Sequence, residues 1–187
     1  MVHMIKNRIV NNWIKENVIG EEDRELYEYG VEITVEYAIN LFTTVLIVVI
    51  MQEIISGIFM YASFMMLRSY SGGVHAKSFK RCYLYSSMVI LITLLLIRFN
   101  IISIWIYRGV GVVSCLYLWF TEPIASENKE VNEKEKRFFI KKEKNIIIYI
   151  VIISIVAFFM GFAKIEKGLE STLIIAFISC ILARLKK

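Results

Sequence analysis

The chain has 187 residues, is 57% hydrophobic, contains a single proline and carries a net charge of +5, with a mean hydropathy of +0.60. Soluble domains average about 45–50% apolar, and here the apolar residues fall in blocks, several approaching the roughly 20 that a spanning helix needs. An ordinary soluble domain is excluded. So is a nucleic-acid binder, because the basic residues lie between the apolar blocks, where they set membrane topology.

Residues 1–30 carry charges of both signs and lack a compact apolar core followed by small residues, so no cleavable signal peptide is expected. Ile5, Ile9 and Trp13, and Val10, Ile14 and Val18, recur at three- and four-residue steps, as on one helical face. With Lys6, Arg8 and Lys15 among them, they predict an amphipathic helix at the membrane interface, with Trp13 at headgroup level. A helix packed on a cytosolic loop is the alternative. Gly20 and the run Glu21–Glu25 mark a break.

Six apolar blocks follow. Val31–Met51 and Ile54–Leu67 form a predicted helical hairpin (residues 31–67) turning at Gln52-Glu53; the second block is short and either crosses with help from its flanks or turns back. A polar island occupies residues 68–86. Tyr83–Ile97 and Ile101–Phe120 are the third and fourth blocks, together residues 83–120, and the fourth contains Arg108. An arginine inside a membrane segment calls for a partner, and pairing with a glutamate of another helix or snorkelling is the expected fate. A second charged island covers 121–144. Asn145–Ala163 and Leu169–Ala183 complete the chain at 145–187. The fold expected is all-α, a single polytopic membrane domain of about six transmembrane helices plus the N-terminal amphipathic helix.

Lysine and arginine counts orient it. With the N-terminus inside, the cytosolic segments hold 18 of these residues and the outer turns three. Both termini and both islands are therefore expected in the cytoplasm, on a multi-pass protein of the cell membrane.

The first island reads Arg68-Ser-Tyr-Ser-Gly-Gly-Val-His-Ala-Lys-Ser-Phe-Lys-Arg-Cys82-Tyr-Leu-Tyr-Ser86. Cys82 is the only cysteine outside the apolar blocks; Cys115 and Cys180 lie within them, and the three have neither disulfide nor metal-ligand spacing. A thiol attacks as its thiolate, which a nearby imidazolium or other cation favours. His75 can take the proton and later return it to a leaving amine. Lys77, Lys80 and Arg81 add positive charge, and Gly72-Gly73 allow unusual backbone angles. On a continuous helix, however, the seven-residue separation of His75 and Cys82 is a rise of about 10 Å, too long for a hydrogen bond. The segment must bend or unwind, or the bond must form only with substrate. A surface histidine beside a buried cysteine, or half of a metal site lacking its other ligands, stay open on spacing alone.

Two motifs narrow this. Arg68-x3-Gly-Gly-x-His-Ala-x5-Cys82-x3-Ser86, together with Glu122-Pro-Ile-Ala-Ser-Glu-Asn128-Lys129 before a basic segment, resembles the accessory gene regulator B (AgrB) family of membrane cysteine endopeptidases. The resemblance covers essentially the whole chain, in length and in its six-block hydropathy. It implies that Cys82 is the nucleophile and His75 its base, with Arg68, Gly72, Gly73 and Ser86 supporting them. It also implies an AgrD-type precursor peptide as substrate, cyclised to a thiolactone or lactone through an acyl-Cys82 thioester, no cofactor, and a homodimer in the lipid bilayer. Lys77, Lys80, Arg81, Glu122, Asn128 and Lys129 are candidate substrate contacts, with topology an equal role for most of the cations. Glu122, Asn128, Ser86 and Glu53 are candidates for a third, orienting residue. Two non-enzymatic readings compete: a peptide transporter or export channel using Arg108 and the short second block, and a membrane scaffold docking a partner on 121–144.

Overall fold

A computed structural model describes residues 2–72, 79–124 and 132–185. Among these residues the chain forms seven α-helices and one short 3-10 turn, with no strand. The all-helical expectation holds.

Helix α1 (Val2–Lys15) ends where Asn17 adopts a positive φ of 55°, and the turn Glu21–Asp23 leads into α2 (Arg24–Ile50). The apolar stripe of α1 is met by α2. Val10 is fully buried, Trp13 packs edge-on to Tyr27 at 6.1 Å, and Lys6 Nζ lies 2.8 Å from Glu32 and 3.6 Å from Glu28. Ion pairs that keep contact with solvent, as these half-buried ones do, stabilise modestly, so the burial of Val10 is the stronger tie.

The hairpin turn falls at Gln52-Glu53, where Gln52 takes a φ of 54°. Helix α3 (Ile54–Ser71) outlasts the apolar block, running through Arg68, Ser69 and Tyr70 to 18 residues, or about 27 Å. Arg98 donates to the Met51 carbonyl (2.8 Å) and so satisfies an end carbonyl of α2. Glu53 is buried although it stands in a turn. It is 5% exposed, accepts from Ser56 Oγ (3.0 Å) and pairs with Lys164 Nζ (3.0 Å), tying the turn to the start of the last helix.

Helix α4 (Phe79–Arg98) and α5 (Ile104–Phe120) are joined at Asn100, which has a φ of 49°. Helix α6 (Glu133–Phe159) starts well inside the charged island, and α7 (Ala163–Leu185) closes the chain. Three stretches are long and apolar enough to cross a membrane by length and composition: Glu21–Ile50, Lys80–Arg98 and Ala163–Leu185. The apolar α5 is shorter at 17 residues. Polar residues dilute the other two, Ser56, Gly57, Ser63 and Ser69 in α3 and the charged first turns in α6. The large exposed side chains of α2, among them Phe42, Val45, Val49 and Ile50, suit lipid contact rather than water.

Helix α7 is the axis of the bundle and packs against α3, α5 and α6. Leu67, Leu118, Ile147, Ile150, Leu169, Leu173, Ala176 and Cys180 form the main core. Val48, Met60, Ile90 and Leu94 form a second between α2, α3 and α4. Small and hydroxyl residues let α3 and α7 approach closely, as membrane helices commonly do. Ser63 and Thr172 share a hydrogen bond of 2.9 Å, and Gly168 lies against the backbone of Ser56. A Cβ on Gly168 would stand 2.6 Å from the Ser56 carbonyl oxygen. Gly168→Ala should therefore destabilise the bundle by about 1–3 kcal/mol through overpacking, seen as a lower unfolding midpoint in detergent; an unchanged midpoint would show that the contact is looser.

Arg108 is paired, as expected. Its guanidinium forks onto both carboxylate oxygens of Glu166 in α7 and lies between the rings of Trp105 (4.7 Å) and Phe158 (4.5 Å). The same cavity holds Glu170, which accepts from Ser154 at 2.7 Å.

Candidate functional site where the two polar islands meet

Helix α3 stops at Gly72, which adopts φ 70°, ψ −148°. That region is essentially closed to residues with a Cβ. The chain leaves the helix there, and the second island docks against the break. The Ile124 amide donates to the Ser71 carbonyl at 3.0 Å, and a Cβ on Gly72 would sit 2.2 Å from the Ile124 carbonyl oxygen. The glycine is thus required twice, for its angle and for the close approach.

Three further groups fix this junction. Arg68 Nη1 donates to the Gly72 carbonyl (2.5 Å) and to Ser179 Oγ on α7 (3.0 Å). Arg184 Nη2 donates to the Glu122 carbonyl (2.9 Å) and its guanidinium lies over Tyr117 at 5.8 Å. The Glu122 carboxylate pairs with Lys136 Nζ (2.8 Å), anchoring the start of α6 over the island. Tyr70 packs against Phe138 and Phe139, with ring centroids 6.5 and 6.0 Å away.

Cys82 lies in the first turns of α4 with its side chain exposed. Arg68 in the last turn of α3 and Cys82 in the first turn of α4 stand at the same end of the bundle, on either side of the connection between these helices. Arg68, Gly72, Ile124 and Cys82 are therefore gathered at one end of the bundle. Lys80 and Arg81 are exposed beside Cys82. Ser86 is directed elsewhere, donating to Asn40 on α2 (3.3 Å) and to the Tyr83 carbonyl (3.0 Å), so it joins α4 to α2. Glu53 belongs to the opposite end. Gly73, His75, Lys77, Asn128 and Lys129 lie outside the described residues, and with them the break expected between His75 and Cys82. No group of three or more potential metal ligands occurs among the described residues.

Ser179, Arg184 and Glu143 belong to this end of the bundle and were not singled out from the sequence. Ser179 has no signal within its apolar run, and Arg184 reads as a terminal topology charge. Glu143 is 3% exposed because α6 begins ten residues upstream and places it on the same stripe as Ile147, Ile150 and Ser154. Burial pushes its carboxyl up to about 7 against the lowering influence of Lys144 and Arg184. A carboxyl raised in the fold is protonated at lower pH without penalty and costs stability as pH rises from the ordinary carboxyl range through 7. Glu143→Gln should leave the unfolding midpoint nearly unchanged at pH 5 and raise stability by about 3 kcal/mol at pH 8; equal effects at both pH values would contradict this.

The accessory gene regulator B family model matches residues 6–184. A protein of Clostridium perfringens (strain SM101 / Type A) described as AgrB-like is 23% identical over 195 aligned residues, spanning 95% of this chain and 90% of its own length. No solved structure gives a significant match. With the family model covering nearly its full length and the two motif-bearing islands joined at one end of its helical bundle, the chain belongs to the AgrB family.

Proposed function

We propose that this protein is a membrane-embedded cysteine endopeptidase that cleaves an AgrD-type precursor peptide near its C-terminus and closes the remainder into a thiolactone or lactone. Family membership links it to processing of the accessory gene regulator autoinducer. The observation that carries the finer reading is the union of the two islands. Ile124 is hydrogen-bonded to Ser71 beside Arg68, and exposed Cys82 stands in the first turn of α4 at the same end of the bundle.

In this reading His75 takes the Cys82 proton, and Sγ attacks the scissile carbonyl. The peptide C–N bond breaks as His75 returns the proton to the leaving amine, leaving the acyl group on Cys82 as a thioester. A thiol or hydroxyl within the peptide then attacks the thioester, forms the ring and restores the Cys82 thiol. Exchange of one thioester for another is nearly isoenergetic, so excluding water from the acyl-enzyme matters more than driving force. Lys80 and Arg81 on α4, with Lys77, Glu122, Asn128 and Lys129, form the candidate path along which the peptide approaches.

The charge distribution supports six crossings by α2 to α7 within one membrane domain, with α1 at the interface. It puts the termini and Cys82 on the cytoplasmic side of the cell membrane. The family resemblance adds a homodimer. Transport through a pathway at Arg108 is less well supported, because that residue is engaged by Glu166.

The reading is tested by reconstituting the protein in liposomes with a synthetic AgrD-type precursor. The expected products are a C-terminal fragment and a cyclic peptide one water lighter than its linear form. Translocation of uncleaved precursor would replace this reading with the transport one.

A further inference from the structure

At the end of the bundle opposite Cys82, three connections converge on a cavity of about 350 Å³ lined by Glu53, Ile97, Arg98, Asn100, Ala163, Lys164 and Lys167. Its lining holds three cations and one carboxylate, and since Lys164 pairs with Glu53 the excess positive charge is that of Arg98 and Lys167. That carboxylate is already committed, since Glu53 receives Lys164 at 3.0 Å and Ser56 at 3.0 Å. Lys167 is 7% exposed, and among the described residues its ammonium meets neutral groups, Asn100 Oδ1 at 2.6 Å and the face of Tyr107 at 5.8 Å. Arg98 uses Nη1 on the carbonyls of Met51 (2.8 Å) and Ile50 (3.3 Å), which are neutral acceptors too. A buried ammonium with no anion is costly, and Asn100 presents its side chain to Lys167 from a left-handed backbone position. The first turn of α7 faces the same space and adds the positive end of its peptide dipoles.

We propose that this cavity is an anion site that takes a phosphate group, with Lys167 at its floor and Arg98 and Lys164 at its rim. Arginine and lysine together suit a phosphate, the one by its fork and the other as a point charge. The cavity is large enough for a headgroup as well as for the free ion. Its position at a bundle end, where membrane headgroups lie, makes an anionic phospholipid the first source to try and inorganic phosphate the second.

The site is read by the unfolding midpoint of the full chain in detergent. Phosphatidylglycerol is compared with phosphatidylcholine, and inorganic phosphate with chloride at equal ionic strength. The wild-type midpoint should rise with phosphatidylglycerol, with phosphate, or with both, and whichever acts identifies the source. Arg98→Gln/Lys164→Gln, which keeps Lys167 at the floor and is compared with its own midpoint without added anion because Lys164 pairs with Glu53 and Arg98 caps α2, should lose most of that rise. Lys141→Gln/Lys142→Gln, an equal loss of exposed charge on α6, should remove much less. No rise in the wild type, or equal losses in the two double variants, would overturn the proposal, the second because it would reduce the effect to general attraction of a basic protein.

Discussion

Cys82→Ala and His75→Ala are each expected to lower precursor cleavage by about 10³-fold or more while leaving the helical bundle folded and inserted. The size follows from the way nucleophile and base act as one unit, so that losing either costs nearly as much as losing both. Cys82 is exposed in the first turns of α4 and is not part of either core cluster, so its removal opens no cavity. The control is internal: Cys180→Ala truncates a buried core thiol and should lower the unfolding midpoint without abolishing cleavage. Retained cleavage in Cys82→Ala, measured as release of the C-terminal fragment, would move the nucleophile elsewhere.

Gly72→Ala should be the most damaging single methyl group in the protein. The backbone of Gly72 lies where an L side chain is strained, and the added Cβ would fall 2.2 Å from a backbone oxygen that cannot swing aside. The expected outcome is separation of the two islands. Ile124 should lose its hydrogen bond to Ser71, and its amide should exchange with solvent far faster than in the parent. Cleavage should fall at least about a hundred-fold, because displacing a supporting backbone by about 1 Å has effects of that order on a positioned reaction. Ile124 also packs against the main core, so the unfolding midpoint should fall as well, whereas the second core between α2, α3 and α4 lies away from this turn and should keep its packing. Faster exchange at Ile124 with unchanged cleavage would separate the docking contact from the chemistry, and unchanged exchange would show that the turn tolerates the methyl group.

Much of this architecture is legible in the residues. The hairpin turn at Gln52-Glu53, the break near Gly20 and the pairing of Arg108 with a glutamate follow from hydropathy, charge and the cost of an unpaired cation in lipid. Helix ends are less legible. The apolar block that stops at Leu67 is not where α3 stops, because Ser69 bonds its own helix, donating to the Met65 carbonyl at 2.8 Å, and the chain turns only at Gly72. In the same way α6 begins at Glu133, inside a run that reads as a solvated loop. Glu143 shows the cost of reading composition without period, since its spacing to Ile147, Ile150 and Ser154 marks a buried stripe although its neighbours are all charged. Contacts such as Ile124 to Ser71 and Arg184 to Glu122 end on backbone carbonyls, which every residue carries equally, and so their acceptors leave no trace in the sequence. Ser86 stands apart because its motif position suggests support of the site, and in the fold its hydroxyl lies within hydrogen-bond distance of Asn40 on α2, a contact between helices that its motif does not announce.

The central claim is that an acyl group is carried on Cys82. Incubating the protein with an AgrD-type precursor whose internal ring-closing residue is replaced by alanine should trap that intermediate, since no internal nucleophile remains to release it. Intact-mass measurement should then show an adduct equal to the acyl fragment, mapped to Cys82 and removed by hydroxylamine. Consumption of the precursor with no adduct on Cys82, or with an adduct on another residue, would contradict the account.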